Sequence, residues 1–227
     1  MKLVHLLSVV LATLFATSVV LAERDDPLQV FPQLKRSKKV LSGFVDILGS
    51  IQSEVVLAEE SYIKNSIKDE SEILKLLTAD DVQVSGPQCI EFVKTSTNLL
   101  MNLAGIGYTN CFNEADDELY NEISKATSIS REKYDQFNLI GAFRGENIFV
   151  DSGRIRDKIS TRQRSGNVVP NLSQEKLEEI RNVARNIKEN FLRCMSTAQE
   201  KLAANLEHTS RQIRAICGAE SSKQILN

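Results

Sequence analysis

The chain has 227 residues, a formal net charge of −2, and 6% aromatic residues with no tryptophan. The acidic balance argues against a nucleic-acid-binding protein, because such proteins need a basic surface. Glycine and proline are sparse, with 10 and 4 residues, which favours long helices over a β-sandwich. We therefore predict an all-α protein.

Residues 1–22 are predicted to be a secretory signal peptide. Lys2 precedes an apolar run, and Val20 and Ala22 are small residues at the −3 and −1 positions of a cleavage site. An uncleaved membrane anchor is the alternative, because the run is long enough to span a bilayer. We expect cleavage, which leaves residues 23–227 as a single secreted, extracellular helical domain without stable membrane insertion.

Three long helices are predicted from apolar residues that recur in alternating steps of three and four. They cover about residues 34–78, 87–140 and 172–217. The last of them contains neither glycine nor proline, and its apolar seam is typical of a helix that packs in a coiled coil.

The stretches outside this pattern are predicted to be less regular. Residues 23–33 contain two prolines and are expected to be extended. In the second helix, Gly105-Ile106-Gly107 predicts a kink or a break. Residues 141–171 are predicted to be an irregular connection, in which Ser152 to Gln163 can form a short helix.

Four cysteines in a secreted chain imply two disulfides, for which three connectivities exist. Cys89 and Cys111 have 21 residues between them, and Cys194 and Cys217 have 22, so two parallel or antiparallel helices could be joined at both points. We favour Cys89–Cys217 and Cys111–Cys194, because antiparallel helices need only one chain reversal. Parallel pairing and neighbour pairing remain open. The predicted fold is an elongated antiparallel bundle of three or four long helices with two disulfides.

The cysteine pattern and the residues around it also resemble those of a known protein family. The 21-residue gap, Tyr108 three residues before Cys111, Ala115 four residues after it, a long helical stretch and a later cysteine pair resemble the TsetseEP-domain family of secreted insect proteins. Residues 112–193 lack the extra cysteines of some members. The resemblance implies an extracellular insect protein of gut, haemolymph or reproductive fluid, with an immune-related role as one option. It implies no enzymatic activity and transfers no functional residue.

The residues expected of an enzyme or a metal site are missing from the sequence. After signal cleavage His208 is the only histidine, which leaves no partner for a serine or cysteine nucleophile. There is no C-x-x-C metal motif and no phosphate-binding glycine loop. Three adjacent carboxylate pairs are interpreted as solvated helix faces, namely Glu59-Glu60, Asp80-Asp81 and Asp116-Asp117. We predict no catalytic residue, no metal and no cofactor.

The first functional hypothesis is a surface interaction with an extracellular protein, a glycan or a cell. Residues 141–170 are locally basic and are the best candidate for this contact, through Arg144, Phe149, Arg154, Arg156, Arg162 and Arg164. The alternative for this segment is a mobile connection. Asn171-Leu172-Ser173 is an acceptor sequence for N-glycosylation, which predicts a glycoprotein. The alternative is that Asn171 or Ser173 serves as the cap of the last helix.

The second hypothesis is an extracellular carrier of lipid or another small apolar ligand, since helical bundles can hold ligands between their faces. The apolar residues that would line its cavity are Phe44, Leu48, Ile51, Val55 and Phe191, although packed core is the favoured interpretation of these residues. A third reading, an immune effector that disrupts membranes, is opposed by the acidic net charge, because membrane-active helices are usually basic.

Overall fold

The computed structural model describes residues 25–40, 46–77, 86–136, 138–164 and 173–217. Within these ranges the chain is helical and contains no β-strand. The helices are α1 (Val30–Val40), α2 (Asp46–Lys75), α3 (Gly86–Thr127), α4 (Arg131–Asp135), α5 (Ser152–Arg164) and α6 (Gln174–Cys217), with 3₁₀ turns at Pro27–Gln29 and Ile140–Ala142. The predicted signal peptide and Asn171 lie outside the described residues.

Two disulfides join the long helices α3 and α6. Cys89–Cys217 and Cys111–Cys194 each hold their Cα atoms 5.7 Å apart. The first connects the first turn of α3 to the end of α6, and the second connects interior positions of both helices. α3 and α6 therefore run in opposite directions, and these bridges are the pairs of the antiparallel alternative.

α2 packs against this linked pair, mainly on α6 and less extensively on α3. All three helices contribute fully buried apolar side chains to one core, including Ile63, Met101 and Met195. Tyr108 of α3 also lies in this core, where its hydroxyl is 2.8 Å from the Oγ atom of Ser66 on α2. Burial raises the pKa of Tyr108 to about 12, so the phenol stays protonated at physiological pH.

The predicted break at Gly105 and Gly107 is wrong, because α3 is continuous through both residues. The two glycines instead allow neighbouring side chains to approach the backbone of α3 closely. A side chain at residue 105 would clash with the amide of Asn147, and a Cβ atom at residue 107 would lie 3.3 Å from that of Ala198 on α6. Packing against these neighbours outweighs the low helix propensity of glycine, which is about 1 kcal/mol per residue.

The predicted ends of the first two helices also need correction. α1 begins at Val30 rather than near residue 34, with Pro32 in its first turn, where proline is tolerated. Residues 41–45, between α1 and α2, lie outside the described residues. α3 ends at Thr127 rather than near residue 140, because Ser128 adopts a left-handed conformation with φ of 57° and Ser130 caps the new helix α4.

Residues 141–151 contain turns and no α-helix, as predicted for an irregular connection. α5 covers Ser152–Arg164, close to the short helix that the sequence allowed. Its residues Ile155 and Ile159 are fully buried, and α5 packs against α1. Gln33 of α1 donates a hydrogen bond of 3.2 Å to the carbonyl of Arg156. This packing argues against a mobile connection.

Candidate functional site

The segment predicted to contact a partner is built into the core by its aromatic residues. Phe149 is only 1% exposed, and its ring centroid lies 6.2 Å from that of Tyr108. Phe143 stacks on Phe112 of α3 with 4.6 Å between ring centroids. The prediction that Phe149 contacts a partner is therefore wrong, because the chain folds back over α3 and buries this side chain.

The four arginines of this segment whose side chains are described make contacts within the chain. Arg154 pairs with Asp151 and lies 3.6 Å from Glu146, and Arg156 lies 3.5 Å from Asp25. Arg144 pairs with Asp116 and Asp117, and Arg162 donates to the carbonyl of Asn138. The side chain of Arg164 lies outside the described residues. The acidic partners of Arg144, Arg154 and Arg156 offset part of the local positive charge on which the predicted contact depended.

Asp116 is the centre of a buried polar cluster that we call the Asp116 cluster. Its carboxylate is fully buried and accepts hydrogen bonds from the side chains of Arg131, Tyr134, Asn138 and Arg144. The interpretation of Asp116 as part of a solvated face is therefore wrong. Each of these donors follows α3 in sequence and points back at it, so the cluster fastens the chain reversal after Thr127.

The two carboxylates of Glu59 and Glu60 have opposite environments. Glu59 is fully buried, and among the described residues its two oxygens have no hydrogen-bond partner. Burial, with a smaller contribution from Glu60, raises the pKa of Glu59 well above its ordinary value. Partial burial of Glu60 is outweighed by Lys35 at 2.6 Å and Lys64 at 2.8 Å, which lower its pKa. The interpretation as a solvated face is wrong for Glu59, and Asp80-Asp81 lie outside the described residues.

An exposed apolar face lies on the outer side of α3. Within the described part of the chain, six large apolar side chains are exposed, and four of them share this face. We call these four the α3 stripe: Phe92, Leu99, Leu103 and Ile106, which are 38–57% exposed. Their spacing of seven, four and three residues confines them to about 60° of the helix circumference over about 21 Å.

Apart from Phe92, which stands between Glu91 and Lys94, the α3 stripe lies in an uncharged part of a highly charged chain. Charged residues make up 26% of the sequence, yet residues 95–113 contain none. The exposed neighbours of the stripe are short polar side chains, among them Thr95, Asn98 and Asn102. Helical periodicity identifies the apolar face, and the lack of charge along it is the signal that could have identified it as a contact surface.

A groove of about 640 Å³ runs beside the stripe, between α3 and α6. Its α3 wall includes the apolar residues Leu100, Leu103 and Ala104 and the polar residues Asn110 and Glu114, while Arg193 and Lys201 belong to the α6 wall. The cysteines of the Cys111–Cys194 bridge also line it.

The ligand cavity predicted for a carrier is at a different place. Val55 and Phe191 are packed in the core with 1% and 2% exposure, as the favoured interpretation expected, so they do not line the cavity of the carrier hypothesis. Phe44 and the side chains of Leu48 and Ile51 lie outside the described residues.

The described residues contain no cluster of ligands that could hold a metal ion, and no described helix is long and apolar enough to cross a membrane. No protein-family model, curated protein or solved structure matches this chain. The resemblance to the TsetseEP-domain family therefore stays a prediction based on the cysteine spacing and its neighbours.

Proposed function

We propose that this chain is a secreted, non-enzymatic insect protein that acts by surface interaction through the α3 stripe. Its scaffold would be an elongated antiparallel helical bundle. Two disulfides support secretion, because disulfides form and persist in oxidising compartments such as the extracellular space. The observation that carries the contact surface is the grouping of four exposed apolar side chains on one uncharged helix face.

The energetics of exposure support a contact role for the stripe. Apolar surface left in water forgoes about 25 cal/mol per Å² relative to burial. Single exposed leucines are common, but a continuous apolar patch rimmed by polar residues marks an interaction site. Depletion of charge at the centre of the patch is also typical of interface cores.

The test compares capture of partners from the native secreted fluid by the wild-type protein and by Leu103→Gln, with Ile90→Gln as the control. Ile90 is exposed to 38%, like Phe92, but it lies on the opposite side of α3. We expect Leu103→Gln to lose partners that Ile90→Gln retains. Charge reversal of Arg154 and Arg156 should leave capture unchanged. Equal capture by wild type and Leu103→Gln would exclude the stripe as the contact surface.

The groove between α3 and α6 favours a second candidate function, a carrier of an anionic amphiphile. The apolar residues of its α3 wall could hold an acyl chain, while Arg193 and Lys201 on the other wall could neutralise a carboxylate that lies away from Glu114. Palmitate is a suitable probe, measured by native mass spectrometry of the purified protein. The variant Lys201→Glu should bind less palmitate, and absence of a stoichiometric complex with the wild type would remove this candidate.

A further inference from the structure

We infer that the α3 stripe binds a second copy of this chain, with the two α3 helices antiparallel and Leu99 on the two-fold axis. The inference rests on the proposed function and names the partner of the same surface. It is carried by the symmetry of the stripe, by the absence of charge along it and by the small residues that flank it.

The spacing of the stripe is self-complementary. Phe92 lies seven residues before Leu99, and Ile106 lies seven residues after it. In an antiparallel pair of helices with an axis at Leu99, each Phe92 faces Ile106 of the second copy and the two Leu99 side chains meet. This arrangement is an isologous contact, in which both copies use the same patch, and it closes at a dimer.

The size of the opposing residues also suits close helix packing. In the same register, Leu103 faces Thr95 of the second copy, so a large apolar residue meets a small one. Such alternation lets the side chains of two helices interlock at an interaxial distance of about 8–10 Å. Leu103 also lines the groove beside the stripe.

The charge pattern favours a second copy over a membrane or a charged peptide. Helices that bind the membrane interface usually carry lysine and arginine on their polar face, whereas residues 95–113 of α3 have no charge. A charged peptide would find no complementary charge on α3 between residues 95 and 113. Two copies of the stripe can meet without placing like charges opposite each other.

The contact area indicates a weak dimer. Four half-exposed side chains along about 21 Å of helix provide less than the roughly 800 Å² per partner of a stable interface. We therefore expect dissociation in the micromolar range, so that dimers form where the secreted protein is concentrated.

The test places opposite charges at the proposed axis by replacing Leu99 with Glu or with Lys. Dimerisation is measured by sedimentation of the secreted chain with its disulfides intact. Samples should run from about 1 μM to about 500 μM, to cover the affinity expected for a contact of this size. The wild type should dimerise as concentration rises. Leu99→Glu alone and Leu99→Lys alone should each dimerise at least tenfold more weakly, because like charges meet at the axis. An equimolar mixture of the two variants should form the heterodimer.

The control pair is Ile90→Glu and Ile90→Lys, on the opposite side of α3, which should dimerise like the wild type. Circular dichroism and disulfide mapping should show the same fold in every variant. A wild type that stays monomeric, or Leu99 variants that dimerise as well as the wild type, would overturn the inference. If the wild type is monomeric but the stripe still captures another partner, the proposed function survives. If the wild type is monomeric and the stripe captures no other partner, both the inference and the proposed function are wrong.

Discussion

The α3 stripe and the segment from Leu139 to Arg164 are opposites in sequence and in structure. The segment is rich in glycine and arginine, which is typical of a surface loop, yet its aromatic residues are buried and its described arginines make contacts within the chain. The stripe has the spacing of an ordinary core-facing helix, yet its four apolar residues are exposed. Periodicity shows that a helix has an apolar face, but tertiary packing decides whether the same chain covers it.

The two regions differ in burial because other elements of the chain pack against the segment but not against the stripe. Residues after Thr127 fold back over α3 and bring Phe143 and Phe149 against its aromatic residues. α3 also packs on α6 and α2, which cover its inner side. Within the described residues, no element covers the outer side of α3 from Phe92 to Ile106. Apolar side chains are therefore buried on the inner side of this helix and exposed on its outer side.

The largest expected effect comes from Phe149→Ala. Removal of this buried ring should lower the free energy of unfolding by about 3–5 kcal/mol, because a cavity replaces contacts in the core. The neighbouring variant Val150→Ala is the control. Val150 is 57% exposed, so its truncation should change stability by less than about 0.5 kcal/mol. Urea unfolding with intact disulfides measures both variants, and equal effects would mean that the segment is not core.

The next largest effect is expected from Asp116→Asn. The change should cost about 2–3 kcal/mol, because Arg131 and Arg144 lose the charged acceptor that they share at the centre of the Asp116 cluster. The matched control is Asp117→Asn. The Asp117 side chain is 48% exposed, so its ion pairs are screened by water and should contribute less than about 1 kcal/mol. A larger loss for Asp117→Asn would contradict the assignment of Asp116 as the centre of the cluster.

A smaller effect of opposite sign is expected from Glu59→Met. The variant removes a carboxyl group without a described hydrogen-bond partner from the core, which should raise the free energy of unfolding by about 1–2 kcal/mol at pH 8. The pKa of Glu59 is raised in the folded state. The contribution of Glu59 to the stability of the wild type is therefore fully present below the pKa that Glu59 has in the unfolded chain. It falls as the pH rises through the pKa that Glu59 has in the folded protein.

The difference between Glu59→Met and the wild type should accordingly grow with pH. Thermal unfolding over a pH series measures it. Glu60→Gln is the control, because Glu60 is paired with Lys35 and Lys64 and has a lowered pKa. Its removal should give no gain in stability at any pH, and a gain like that of Glu59→Met would contradict the contrast between the two carboxylates.

The disulfides show which part of the fold could be predicted from sequence. Helical rise is nearly constant, so matched gaps of 21 and 22 residues between cysteines fit two helices joined at both points. The need for only one chain reversal favoured the pairs Cys89–Cys217 and Cys111–Cys194, which the structure contains. The role of Gly105 could not be predicted, because the close approach that requires a glycine there involves Asn147, 42 residues away. The burial of Phe149 and Asp116 likewise depends on a reversal that no local pattern encodes.

The smallest effect on stability is expected from Leu103→Ala. Leu103 is 54% exposed, and in dilute solution its truncation should change the free energy of unfolding by less than about 0.5 kcal/mol. Met101 is two residues away but fully buried, so Met101→Ala should cost about 2–5 kcal/mol. Both variants should be measured at the lowest usable protein concentration, because self-association would add stability to a folded protein that uses the stripe. If Leu103→Ala costs as much as Met101→Ala there, the stripe is part of the core, and the contrast with the 139–164 segment fails.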